Sequence, residues 1–130
     1  MVGARQPDAA GFYGETLSNG PRHRIDGKER VQILTLVGAA RRVAARHFHE
    51  RDADIAAMYW AGWHVSNVLK LGSPLIRLAI VLERNPYFLV STIGAYQALS
   101  ARESERCGRA YPEFLGLYDQ MTRKPLYAVG

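Results

Sequence analysis

From Ile33 to Phe48, apolar residues return every three or four positions: Ile33, Val37, Ala40, Ala44 and Phe48 lie on one line. A helix turns once in 3.6 residues, so it gathers such positions onto one face; a strand would scatter them. The Val31–Val37 stretch alone also suits a strand, but the stripe runs too far for one. Asp26 stands three residues before Glu29, a capping-box spacing with Asp in place of the usual Ser or Thr. The pattern predicts a helix over 27–51, about 37 Å long at 1.5 Å per residue. Lys28, Gln32, Thr35, Arg42, Arg46 and His49 fall on its opposite face.

Punctuation divides the rest of the chain into further helices. A second is predicted over 54–71, capped by Asp52 or Asp54 and stopped by Gly72. Met58, Val65 and Leu69 share one of its faces, flanked by Tyr59, Trp60 and Trp63. Ser73-Pro74 starts a short helix over 74–84, with Ser as N-cap and Pro as first helical residue. Between Leu75 and Leu82 only Arg77 is charged, and a helix apolar nearly all round is buried in a core or an interface.

Asn85-Pro86 repeats the signal for a helix over 86–107, along which Leu89, Ile93 and Tyr96 recur. Tyr87–Ile93 is also rich in strand formers. Arg102 and Glu105 stand at the spacing of a helical ion pair, and Gly108 is read as the stop. Pro112 is then read as opening a last helix over 112–122, with Phe114, Leu117, Tyr118 and Met121 on one face. Glu113 would occupy its first turn, with Arg123 and Lys124 beyond its end, as the helix dipole favours. Residues 1–26 hold Gly3, Gly11, Gly14, Gly20, Pro7 and Pro21 and read as an irregular arm, and 125–130 as a tail. The expected fold class is all-α: a compact bundle of about five helices forming one domain over 27–124.

A length of 130 residues suits that single domain, and 48% apolar with 22% charged residues is a globular composition. The lone Cys107 excludes an intrachain disulfide and agrees with a reducing compartment. No secretory signal is visible, and the longest uncharged run, Asn85–Ala101, falls short of the ~20 apolar residues of a membrane span. The expected location is the cytoplasm, or an assembly formed there.

The net charge is local. Residues 22–51 carry eight basic and three acidic side chains, which accounts for the whole +5; the remaining residues balance at nine of each. Arginine dominates, 14 against 3 lysines, and its planar fork suits phosphate and carboxylate. Arg22, Arg24, Lys28, Arg41, Arg42 and Arg46 are therefore the candidate cationic site. Such a face meets nucleic-acid phosphate through counterion release, or an acidic protein surface, or only solvent.

Chemistry is sparsely signalled. His47 and His49 stand two apart, which on a helix turns them about 200° away from each other and prevents joint chelation. No His-Glu-x-x-His, Cys-x-x-Cys, Gly-x-Ser-x-Gly or glycine-rich phosphate loop occurs. Cys107 lies between Arg106 and Arg109, which favour a thiolate, but a lone cysteine at a helix end is usually inert. The run Trp60–Pro74 has the rhythm of a helix-turn-helix, yet the helix after it offers only Arg77 to read a base edge, so a core hairpin is expected instead.

No catalytic residue, metal, cofactor or small-molecule substrate is expected. The sequence points to a non-enzymatic structural or adaptor subunit whose basic face docks an acidic partner. A nucleic-acid-binding factor and a small enzyme are the alternatives. A second surface is expected from Tyr59, Trp60, Trp63, Leu75 and Ile76, because aromatic residues concentrate at interfaces and a small domain hides little apolar surface. It would hold a protein partner or a second copy.

Overall fold

A computed structural model describes residues 24–129, with side chains described to residue 123. The chain is all-α. Among the described residues there are five helices: α1 (Gly27–His47), α2 (Glu50–Asn67), α3 (Pro74–Leu82), α4 (Pro86–Arg102) and α5 (Ser104–Val129). The expected arm lies, up to residue 23, outside the described residues.

The apolar line of α1 is buried as its spacing requires: Ile33, Leu36, Val37, Ala40, Val43 and Ala44 face the interior. They pack on α2 and α5. α2 is the central helix, packed against α1, α3 and α4. Residues 56–62, together with His64 and Val65, leave it almost no solvent face. Small side chains at Ala39, Ala40, Ala56, Ala57 and Ala61 are all fully buried, which lets neighbouring backbones approach closely.

Asp26 caps α1, its carboxylate accepting from the Glu29 N–H at 2.7 Å. Glu29 does not complete the box; its carboxylate binds Arg77 of α3 instead. Asp26→Ala is expected to cost about 1 kcal/mol of stability, read as a lower denaturation midpoint. An unchanged midpoint would show that the cap contributes nothing. Asn85 caps α4 in the same way, accepting from the Tyr87 N–H at 2.8 Å.

Several helix ends differ from the sequence expectation; α3, for one, stops at Leu82 rather than at residue 84. α1 stops at His47 rather than Arg51, because Phe48 turns to extended backbone (φ −135°, ψ 157°) and buries its ring beside Trp60. α2 therefore starts at Glu50, with His49 at its cap position. Asp52 and Asp54 are not caps; they bind Arg102 at 3.0 Å and Arg84 at 3.1 Å across to the α4 ends. α2 also stops at Asn67, before Gly72. Its carbonyls at His64 and Val65 are satisfied by the N–H groups of Val68, Leu69 and Leu71. The left-handed residues of this turn are Lys70 and Ser73, not the glycine, and the Ser73 hydroxyl makes no cap bond.

The last helix shows the largest departure. The break falls at Glu103, not at Gly108, and Pro112 sits inside α5. Arg102 accordingly pairs with Asp52 rather than Glu105, and Arg106 pairs with Glu103. A proline within a helix costs roughly 3 kcal/mol. Cys107, Ala110, Tyr111, Phe114 and Tyr118 form one buried line running straight past it. Burying each large side chain on that line returns about 1.5–3 kcal/mol, so the continuous face outweighs the proline. The helix continues through the segment read as a tail.

Candidate interaction face of the first helix

The side of α1 turned away from α2 and α5 is open to solvent. At 100° per residue, Val31, Leu34, Gly38 and Ala45 fall along its midline, and all four are exposed. Val31 is 64% and Leu34 46% exposed. Arg30 and Arg41 flank one side of this seam; Lys28, Arg42 and Arg46 flank the other. No carboxylate lies on this face of α1: Glu29 is turned inward to Arg77.

Elsewhere most arginines are neutralised; Arg51, exposed at the start of α2, has no ion pair among the described residues. Arg77, Arg84, Arg102, Arg106, Arg109 and Arg123 each bind a carboxylate. Arg46 does so as well, with Glu113 of α5, whose other oxygen lies 2.7 Å from His47 Nε2. These contacts, first that from His47, hold the Glu113 carboxyl below its usual range. By contrast, Arg24, Lys28, Arg30, Arg41 and Arg42 have no ion pair among the described residues. Arg24 is exposed just before the helix, Arg22 lies outside the described residues, and Arg41 borders a shallow groove with Glu50, Ala53 and Asp54 of α2.

The basic set is thus two rows around an apolar seam rather than one row. His49 is not part of it, because the helix ends before it. The exchange of Arg46 and His47 with Glu113 was hidden from the sequence, which places the partners 67 and 66 residues apart.

The aromatic surface expected from the sequence is interior. Trp60 and Tyr59 are buried, Trp60 stacked on Phe114 with centroids 5.6 Å apart and Tyr59 stacked on Tyr96 at 4.0 Å. Trp60 Nε1 donates to the Tyr96 hydroxyl at 3.1 Å. Leu75 and Ile76 are also buried, and Trp63 is half-buried with its edge against Tyr111. The chain's own α4 and α5 supply the partners that a second molecule was expected to provide. Arg77, the only charge of α3, is likewise engaged, with Glu29 and with the Gly72 carbonyl.

Two further groups have chemical interest. Cys107 is fully buried, and burial pushes its thiol up rather than toward thiolate. His64 is buried against Tyr118 and Phe114, and its Nδ1 has no hydrogen-bond partner among the described residues. Its place in the apolar run of α2, one turn after Trp60, was the available sequence signal.

A cleft of about 130 Å³ lies between α2 and α4, lined by Arg51, Asp54, Phe88 and Thr92 among others. Among the described residues, no group of three metal-ligating side chains converges, and no helix is long and apolar enough to cross a membrane. Comparison of the chain with family models, with curated proteins and with solved structures finds no match.

Proposed function

We propose that this protein is a non-catalytic helical adaptor, a subunit of a larger assembly in the cytoplasm, which docks an acidic partner on the outer face of α1. The observation that carries this reading is the pairing pattern of the arginines. Seven are held by carboxylates of the same chain, whereas Arg30, Arg41 and Arg42, with Lys28, surround the exposed Val31–Leu34–Gly38 seam without one among the described residues. A surface with apolar residues at its centre and charge at its rim is the anatomy of a protein interface. Nucleic acid, the alternative, asks for a row of cations along a phosphate backbone, which the seam interrupts. A catalytic role has less support, because the α2–α4 cleft, about 130 Å³, and the groove beside Arg41, about 250 Å³, are both smaller than the ~300–1,000 Å³ of most ligand sites.

The test is fluorescence anisotropy with an acidic amphipathic peptide and with duplex DNA, each at low and high salt. The Arg41→Glu/Arg42→Glu variant is expected to bind the peptide about tenfold more weakly, because two rim attractions become repulsions. Peptide affinity unchanged by that variant would end the proposal. Binding stronger to DNA than to peptide, and falling steeply with salt, would replace it with the nucleic-acid reading.

A further inference from the structure

We propose that the outer face of α4 joins two copies of this chain, the helices running antiparallel with Gly94 at the two-fold axis. The proposal does not rest on the reading of α1. From Pro86 to Ala101 the helix has no charged residue, yet half of it faces water. Tyr87 is 75%, Phe88 46% and Val90 37% exposed. The cations that bound the segment, Arg84 and Arg102, are already held by Asp54 and Asp52. Contiguous exposed apolar residues of this kind mark interaction sites.

Charge identifies the occupant. A molecule of net charge +5 repels its own copies over most of its surface, and most strongly at the unpaired cations of α1. The face of α4 itself carries no charge, the nearest cation without an ion pair among the described residues being Arg51 of α2, at its edge beside Phe88 and Ser91. It is the place where a second copy approaches at least cost.

Size supports the same occupant. Tyr87 and Ala101 stand seven residues either side of Gly94, Val90 and Ala98 four, and Ser91 and Gln97 three. Antiparallel pairing about Gly94 therefore sets each large apolar side chain of one copy against a small one of the other, and Ser91 against Gln97. A two-fold interface requires this self-complementarity, since every contact occurs twice. Antiparallel helices also align their dipoles favourably.

Gly94 itself has no internal explanation. Apart from its neighbours and its own helix backbone, no atom of the described residues lies within 4 Å of the place its Cβ would occupy, as is also true of Gly38 and Gly116, and its φ is not positive. Glycine weakens a helix interior relative to alanine. A second helix crossing closely at this point gives the missing side chain a role.

Analytical ultracentrifugation over a range of concentrations tests the proposal. Wild type is expected to dimerise with a dissociation constant on the order of micromolar, as suits one helix pair. Gly94→Arg is expected to be monomeric with unchanged helical circular dichroism, while Leu34→Arg on α1 still dimerises. A wild type monomeric throughout, a dimer indifferent to Gly94→Arg, or one abolished only by Leu34→Arg would overturn it. If Gly94→Arg loses helicity, Gly94→Cys decides. Cys107 is fully buried, so the new thiol is the one exposed cysteine. On mild oxidation with diamide it should yield a disulfide-linked dimer, and failure to do so would overturn the proposal.

Discussion

Trp60→Ala should lower the unfolding free energy by about 3–5 kcal/mol, the range for deleting a large buried aromatic side chain. Trp60 is fully buried on the central helix. Its ring stacks on Phe114, meets the edge of Tyr111 and lies tilted against Phe48, so one indole ties α2 to α5 and to the turn after α1. Its Nε1 donates to Tyr96 of α4. Truncation empties a space that three elements share, and none of them can collapse into it without losing its other contacts. A domain with a total stability of about 5–15 kcal/mol would lose a large part of it. Equilibrium denaturation in urea measures the loss. Trp60→Phe keeps most of the packing and removes the hydrogen bond, and a smaller loss is expected. A Trp60→Ala protein within ~1 kcal/mol of wild type would show that this residue is not the centre of the core.

Mild acid should destabilise the protein through His64. Burial among apolar and aromatic side chains lowers its pKa from 6.5 to about 4. In the folded state the ring therefore stays neutral, whereas the unfolded chain takes up a proton near 6.5. The unfolded state binds more protons between these values, so stability falls as pH drops from about 6.5 toward 4. The full effect is about 3 kcal/mol, from the size of the shift. Unfolding curves between pH 7 and 4.5 check it, with His64→Leu expected to flatten the dependence. An equally steep profile in that variant would place the acid sensitivity elsewhere. Glu113 acts in a lower window. Its carboxyl is held below 4.5 by His47 and Arg46, so the stability it contributes is present above that value and fades as pH falls through its folded pKa.

The two effects have one origin in α2. A helix buried on nearly all sides must satisfy or neutralise every polar group it carries. The Trp60 N–H is satisfied by a phenol; His64 Nδ1 finds no partner among the described residues, and keeping the ring neutral limits the cost.

Helix existence was legible from local spacing, because a 3.6-residue period and a capping side chain act within a few residues. Asp26 and Asn85 illustrate this, each accepting a backbone N–H from its own first turn. The concentration of positive charge on the first helix was legible for the same reason. Helix ends were not, where distant packing overruled local chemistry. Phe48 leaves the helix to reach Trp60, and Pro112 stays within one because Tyr111, Phe114 and Tyr118 share a buried line across it. Asp52 and Asp54 looked like caps and instead hold arginines at the two ends of α4.

Local periodicity, capping and charge counting thus point to about five helices and place the net charge on the first of them and the end of the arm before it. Which side of each helix meets its own chain depends on contacts between residues far apart in sequence, and the assembled bundle alone supplies those. Apolar residues at helical spacing look the same whether they fill a core or await a partner. That is why Tyr59, Trp60, Leu75 and Ile76 read as a surface and prove interior, while Val31, Leu34, Tyr87 and Val90 lie in the open. Arginines likewise look alike in sequence until folding brings carboxylates to some of them and, among the described residues, none to Arg41 and Arg42.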